Sequence, residues 1–422
     1  DQFLSKQDDF DVWKKIYDVP DEEIWRLHNI QKKRLFGYLK KRLNVEMTAR
    51  QENPSHIFPL IQAMNEDSLT IGFARRFATY KRAHLLFSNM DRLKSILANA
   101  NRPVQFIFAG KAHPHDKAGQ DLIKRIVEVS RMPEFVGKII FVENYDIHLA
   151  KHLISGVDVW LNTPTRPLEA SGTSGEKAVM NGVMNFSVLD GWWAEGYKPG
   201  AGWAIDEQRT YENQGMQDML DAEVIYNTIE NEIAKAYYNK NANGISQQWL
   251  QHIKNTFATI APNFTMKRML DDYFNKFYNQ LFERADKIRA NNYAFASAIV
   301  AWKKDIQSQW NNIKVVSETL PQTDQENSLN TNDHFVARIE LDLNGISADN
   351  IGVEILFARK YDNEVTSIVH KQELEVSSVG DITIYECDIP IYRAGVHDYV
   401  FRIFPKSEMI VHPNEFPLVK WI

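Results

Sequence analysis

Short apolar runs recur along the first half of the chain, at 69–73, 104–109, 139–142, 157–161 and 183–188. Each is a short apolar run of strand length. Between them, at 81–99, 116–130, 146–155 and 175–181, apolar residues return at helical spacing. Strand and helix alternating in this way predict a parallel, doubly wound α/β sheet with its sites at the carboxyl ends of the strands. Ahead of the sheet, Pro20-Asp21 opens a helix over 21–43, carried by Ile24, Leu27, Leu35, Leu39 and Leu43. Residues 44–66 read as irregular.

Past the sheet, 216–315 is mostly helical, with Trp and Tyr at core spacing. Residues 317–333 are polar, include Pro321 and show no period, which reads as a linker. Alternation then resumes at 335–343, 353–358, 382–389 and 399–404, the pattern of a small antiparallel β-domain. The expected division is a lead-in over 1–66, a Rossmann-like domain with carboxyl-terminal helices over 67–316, a linker over 317–333 and a β-domain over 334–422.

Composition narrows the partners. A chain of 422 residues exceeds one core. Its net charge of −6 offers no basic field to nucleic acid or to an anionic membrane surface. The single cysteine, Cys387, excludes an internal disulfide and fits a reducing compartment. With no apolar run of about 18 residues and no leader-like start, a soluble cytoplasmic protein without membrane or nucleic-acid partner is expected. The chain opens at Asp1 without Met, as a processed protein or an excised fragment would.

Three blocks could carry chemistry. Gly72 to Arg82 follows a strand and reads as opening a helix, and it sets Arg75, Arg76, Lys81 and Arg82 within eight residues. Such a turn either grips an anion, with arginine forks and a helix terminus, or is a solvated basic surface. Glu169 to Lys177 is a run of small and hydroxyl residues between an acid and a lysine. It either lets a ligand lie against the backbone, with Lys177 consumed by an anion or a Schiff base, or is a flexible loop. Gly110-Lys111-Ala112-His113 follows another strand and reads more simply as a turn. Trp192, Trp193, Tyr197 and Trp203 are assigned to packing, and no metal-ligand spacing is present.

Taken together, these blocks resemble the α-glucan phosphorylase family, in its short bacterial and archaeal branch. The likeness runs through Arg75-Arg76, Tyr80-Lys81-Arg82, Gly110-Lys111-Ala112, Glu143-Asn144-Tyr145, Glu169 to Gly182 and Leu189-Asp190-Gly191, across about 66–280. It implies one half of a GT-B glycosyltransferase fold: a Rossmann-like carboxyl-terminal domain, followed here by helices and the antiparallel β-domain. It carries Lys177 over as the residue that holds pyridoxal 5'-phosphate. Thr173, Ser174 and Arg75 would hold the cofactor phosphate, and Tyr145 would line its pocket. Arg76 and Lys81 would bind the substrate phosphate, while Glu169, Ser171 and Gly172 would hydrogen-bond the glucosyl unit.

The implied reaction is phosphorolysis of terminal α-1,4-linked glucose by inorganic phosphate, giving glucose 1-phosphate with retention. Arg75 stands where many relatives have lysine, and Glu176 where an apolar residue is expected. Nothing in 1–66 supplies the glycine-rich loop of the family's amino-terminal half. The expected partner is therefore that missing half, without which the chain is expected to be inactive. Two rivals stand beside this reading. A nucleotide-sugar glucan synthase shares the fold but places a glutamate eight residues after the first, where this chain has Lys177. The other is a non-catalytic fragment that binds cofactor or glucan.

Overall fold

The apolar runs become strands: β1 (Leu69–Ala74), β2 (Val104–Ala109), β3 (Ile139–Val142), β4 (Val159–Asn162), β5 (Met184–Val188) and β6 (Trp203–Ile205). They form a parallel sheet in the order β3-β2-β1-β4-β5-β6. Every residue of β1 and β2 is buried, which is why their sequences do not alternate. β6 was not anticipated, since three residues carry too little pattern to mark a strand. The computed structural model describes residues 5–205, 211, 213–321, 329–330, 333–361, 364–391 and 397–422.

The strand order decides where a ligand can lie. From β1 the chain winds outward through β2 and β3, then crosses back to set β4 on the other side of β1. Connections leave β1 and β4 in opposite directions, so a crevice opens at the carboxyl ends of these two strands. The turns after Ala74 and after Asn162 face it, and they lead into the two most suggestive sequence blocks.

Two expectations about helices are corrected. Residues 44–66 are largely helical: α1 (Asp21–Ala49) extends into them, and α2 (Pro54–Ala63) follows. Pro54 does not break that second helix, because a first-turn N–H has no helical partner to lose and Asn53 caps the start. Nor does a helix cover 81–99. Thr79–Lys81 and Leu85–Phe87 are isolated 3₁₀ turns, and α3 (Met90–Ala98) begins only after the Asn89 cap. Between the turns, Arg82 has a left-handed backbone, φ 48°, through which no right-handed helix propagates. The remaining crossovers are α4 (Lys117–Ser130), α5 (Ile147–Gly156), α6 (Thr173–Val179), α7 (Trp192–Gly196) and α8 (Gln214–Thr228).

α1 is bound into the sheet unit by apolar and polar contacts. Leu35, Phe36, Leu39 and Leu43 share one core with Ile107, Leu153 and Trp160. On the same helix, Lys32 and His28 reach the Asp158 carboxylate at 2.5 and 2.7 Å, all three side chains being buried. Asp158 also accepts the Thr70 N–H at 2.7 Å, and Lys32 donates to the Ser68 carbonyl at 2.6 Å and the Tyr237 hydroxyl at 2.9 Å. Burial pushes the Asp158 carboxyl up, but Lys32 and His28 together more than offset it and hold it below the usual range.

Contacts divide the chain after Phe274, and the second unit runs from Asn275. It contains a helical stretch, Asn279–Gln309, interrupted by an extended Ala290 and left-handed Asn291, Asn292 and Tyr293. Two four-stranded sheets follow, β11-β12-β8-β7 and β10-β9-β13-β14. Their strands are β7 (Lys314–Thr319), β8 (His334–Asp342), β9 (Ile351–Tyr361), β10 (Glu364–Glu373), β11 (Glu375–Ser378), β12 (Thr383–Pro390), β13 (Asp398–Pro405) and β14 (Lys420–Trp421). Ile339, Leu341, Val353, Ile355, Phe401 and Ile403 form their core. The first residues of the expected linker, 317–319, are instead the end of β7, paired with β8. Its 322–328 and 331–332 lie outside the described residues. On β12, burial pushes the Cys387 thiol up to about 11, away from reactivity. Among the described residues no helix is long and apolar enough to cross a membrane.

Removing one partner of a buried ion pair strands the other. Lys32→Met should therefore cost about 3–5 kcal/mol in denaturant unfolding. Asp158, with its depressed value, is fully stabilising above the unfolded carboxylate value of about 3.9 and loses that contribution as pH falls below it. The variant should accordingly show a shallower acid loss of stability than the parent.

Candidate active site

The β1 turn stays close to the β2 turn as it leaves the sheet. The Arg75 N–H donates to the Ala109 carbonyl at 3.1 Å and the Phe77 N–H to the Lys111 carbonyl at 2.9 Å. Gly110 is required there: a Cβ would collide with the Arg75 carbonyl oxygen and the Phe77 ring. The Gly110-Lys111 block is thus a packing turn, with Lys111 exposed.

The loop after β4 rests on the turn at 190–192. The Glu169 N–H donates to Asp190 Oδ2 at 2.9 Å, and the Trp192 N–H to the Ser171 carbonyl at 2.9 Å. Gly191 lies so close to the Ser171 carbonyl that a side chain has no room. Gly172 takes a positive φ of 91°, and a Cβ on Gly175 would come within 2.7 Å of the Trp192 indole nitrogen. The chain enters α6 at Thr173, and the buried Trp160 indole N–H donates to Ser174 Oγ at 3.2 Å. A hydroxyl that accepts from an indole keeps its own proton for another acceptor.

Here the two turns meet. Glu169 accepts from Arg75 Nη2 at 2.6 Å and, at still closer range, from Lys81 Nζ. Burial pushes the Glu169 carboxyl up, but Lys81 and Arg75 outweigh it and hold it below the ordinary glutamate value. Arg75 is lowered from the usual arginine value by its own burial, against the pull of Glu169. Its Nε and Nη1 are buried and find no partner among the described residues. The Lys81 ammonium also lies 4.5 Å from the Tyr80 ring centre.

Among the described residues no hydrogen bond or ion pair joins Arg76, Thr173, Lys177 or Tyr145 to Glu169 and its two cations. Arg76, Thr173 and Lys177 are exposed, and Ser171 and Gly172 are half-buried. Glu176, beside Lys177, has its carboxyl pushed up by burial, with Lys177 and Arg268 opposing. Tyr145 packs on the core that contains Trp160 and Ala178, and burial raises its phenol. The helix terminus expected at the β1 turn is absent, because the segment forms a 3₁₀ turn instead. Trp192 and Trp193 pack in a core with Val179 and Ile260, as assigned. Sequence reasoning missed the contributions of Trp160 and Asp190. Asp190 lies inside the Leu189-Asp190-Gly191 block, whereas nothing local distinguishes Trp160.

The doubly wound α/β unit thus gathers two cations and a carboxylate where β1 and β4 diverge. The carbohydrate phosphorylase family profile matches residues 29–318, and the glycogen phosphorylase C-terminal domain profile matches 310–422. The chain belongs to the carbohydrate phosphorylase family. It is 35% identical over 419 residues to the maltodextrin phosphorylase of Thermococcus litoralis, covering 97% of this chain and 47% of that protein. The glycogen phosphorylase of Aquifex aeolicus is 46% identical over 281 residues, 67% of this chain and 40% of its own length. The glycogen phosphorylase of Mycobacterium tuberculosis is 30% identical over 413 residues, 97% and 47% respectively. This chain therefore spans about half the length of these relatives or less. These relatives are phosphorylases, which weighs against the synthase alternative.

Glu169→Gln removes the carboxylate between two buried cations while keeping its shape. Thermal unfolding should show a loss of about 1–3 kcal/mol, the worth of charge-assisted bonds left unmade. Because Glu169 is held below its unfolded value of about 4.3, its contribution is present above that pH and lost below it. The difference between variant and parent should shrink on acidification.

Proposed function

We propose that this chain is the carboxyl-terminal half of an α-glucan phosphorylase that uses pyridoxal 5'-phosphate attached at Lys177. In this reading it cleaves terminal α-1,4-linked glucose with inorganic phosphate, releasing glucose 1-phosphate with retained configuration. The observation that carries the reading is the buried Arg75 fork. Two of its nitrogens lack partners while Glu169, at the head of the glycine-containing loop that leads to Lys177, holds the third. A buried guanidinium with donors to spare calls for an anion with several acceptor oxygens. A phosphate ester fits, with Thr173 and Ser174 beside it and Tyr145 along the pocket.

When bound, the cofactor supplies a phosphate group able to give and take a proton beside the substrate phosphate. The residues of the chain do the rest. Arg76 and Lys81 take the substrate phosphate and offset the repulsion between two phosphates in a water-poor crevice. Glu169, Ser171 and Gly172 offer hydrogen bonds to the glucosyl hydroxyls and so orient the sugar. Glu169 also sets the position of the Lys81 ammonium, so sugar and phosphate sites share one side chain.

We read the sheet unit as one wall of a two-domain GT-B cleft, the other wall being the amino-terminal half. Reactants must be enclosed and held in register from both sides. The reading assigns the enzyme to the cytoplasm, in keeping with its single cysteine.

Borohydride reduction of the cofactor-loaded chain, followed by peptide mapping, should place the label on Lys177. A label on Lys81 or Lys111 would overturn the assignment. The 422-residue chain alone should release glucose 1-phosphate from maltooligosaccharide well below about one turnover per second, and co-expression with the other half should restore turnover. In that assembled enzyme, Arg76→Ala should cost about 2–4 kcal/mol of transition-state stabilisation, read as kcat/KM for phosphate.

A further inference from the structure

The four cations of the β1 turn do not share one task. Arg76 is exposed, and Arg75 and Lys81 meet at Glu169. Arg82 turns the other way and is only 3% exposed. Its Nε donates to the Thr163 carbonyl at 2.9 Å and its Nη2 to the Pro164 carbonyl at 2.9 Å. Its remaining contacts go to two carboxylates of α8, Asp218 at 2.9 Å and Asp221 at 2.7 Å.

We propose that Arg82 and Asp218 are positioning residues, a latch that fixes the turn bearing Lys81 against the loop bearing Glu169. The two strands of the switch point end close together, but nothing in their pairing sets how the following turns meet. Arg82 supplies that constraint by grasping both carbonyls that follow β4. The join is reciprocal, since Thr163 Oγ1 donates to the Lys81 carbonyl at 2.9 Å and the Thr165 N–H to the Tyr80 carbonyl at 2.7 Å. Lys81 is thereby clamped on both sides along its backbone.

Asp218 holds the guanidinium in that pose. One of its oxygens takes Arg82 and Gln214 Nε2, the latter at 2.7 Å, and the other takes His84 Nε2 at 3.0 Å. Burial pushes its carboxyl up, but the bonds from His84, Arg82 and Gln214 bring it down to about 2, so it stays charged. The left-handed backbone of Arg82 is the sort of strain that persists only where surrounding contacts over-determine it. With two carboxylates on it, Arg82 has no charge to spare for a bound anion.

The functional half of this proposal rests on reading Lys81 as a phosphate ligand. The test uses the 422-residue chain and its Asp218→Asn and Arg82→Lys variants, compared well below the melting point of all three. Titration with inorganic phosphate should show affinity about tenfold weaker in both variants, because a misplacement of the order of 1 Å is expensive at such a site. Pyridoxal phosphate uptake, followed by absorbance, should weaken less than about threefold, since Arg75, Thr173 and Ser174 lie outside the latch.

Loss of a negative charge acting only through space would instead strengthen phosphate binding in Asp218→Asn. A mere staple of the fold would lower the melting temperature and leave both affinities unchanged. Either result overturns the proposal. Hydrogen exchange decides the mechanical part separately: peptides covering 79–84 and 163–169 should loosen together in both variants. Loosening of only one peptide ends the latch. Should the parent chain bind no phosphate while the peptides still loosen together, the reading of Lys81 fails and the latch stands.

Discussion

One carboxylate holds the centre of this protein together. Asp158 sits just before β4, accepts the N–H of Thr70 in β1, and takes Lys32 and His28 from α1. It therefore sets the register of the two strands between which the sheet reverses, with Ile71 opposite Val159, and it pins the leading helix to them. Such a cluster is weak as a source of net stability, because desolvating the charges costs nearly what their attraction returns. What it supplies is a fixed point: in this pairing of β1 and β4 the buried carboxylate meets the Thr70 N–H and the Lys32 ammonium together. At the opposite ends of the same two strands lie the turns that carry the site.

Charge at the carboxyl edge is organised by the same logic. Four cations close in sequence would repel one another, and the structure divides them among carboxylates that come from elsewhere. Glu169 takes two, the pair Asp218 and Asp221 takes another, and Arg76 stays in solvent. What is left over is informative. Buried donors on Arg75 without partners are a stability penalty, and such penalties collect where a ligand is handled. This local imbalance stands in a chain that belongs to the carbohydrate phosphorylase family.

Much of the architecture could be read from the residues because the relevant physics is local. A strand covered on both faces must be apolar throughout, so five of the parallel strands stood out as unbroken runs. The small and hydroxyl residues of 170–175 also stood out, read either as a loop that lets a ligand approach the backbone or as a flexible one. Lys177 was singled out by its place after that loop, and its cofactor role was an expectation from the resemblance to the phosphorylase family.

Other features were decided only by tertiary structure. No local signal warns that Arg82 leaves the right-handed region, since its conformation is held by Thr163, Pro164, Asp218 and Asp221, more than 80 residues away; a helix was therefore expected where two short turns stand. Residues 44–66 read as irregular, yet Asn53 caps a helix there and Ile57 is buried. Ser174 has its hydroxyl oriented by Trp160, an ordinary core residue in every sequence pattern. Composition and spacing determined which residue types reach the crevice. Which cation is paired and which stays in solvent depended on carboxylates distant along the chain, because an ion pair is chosen by proximity in space.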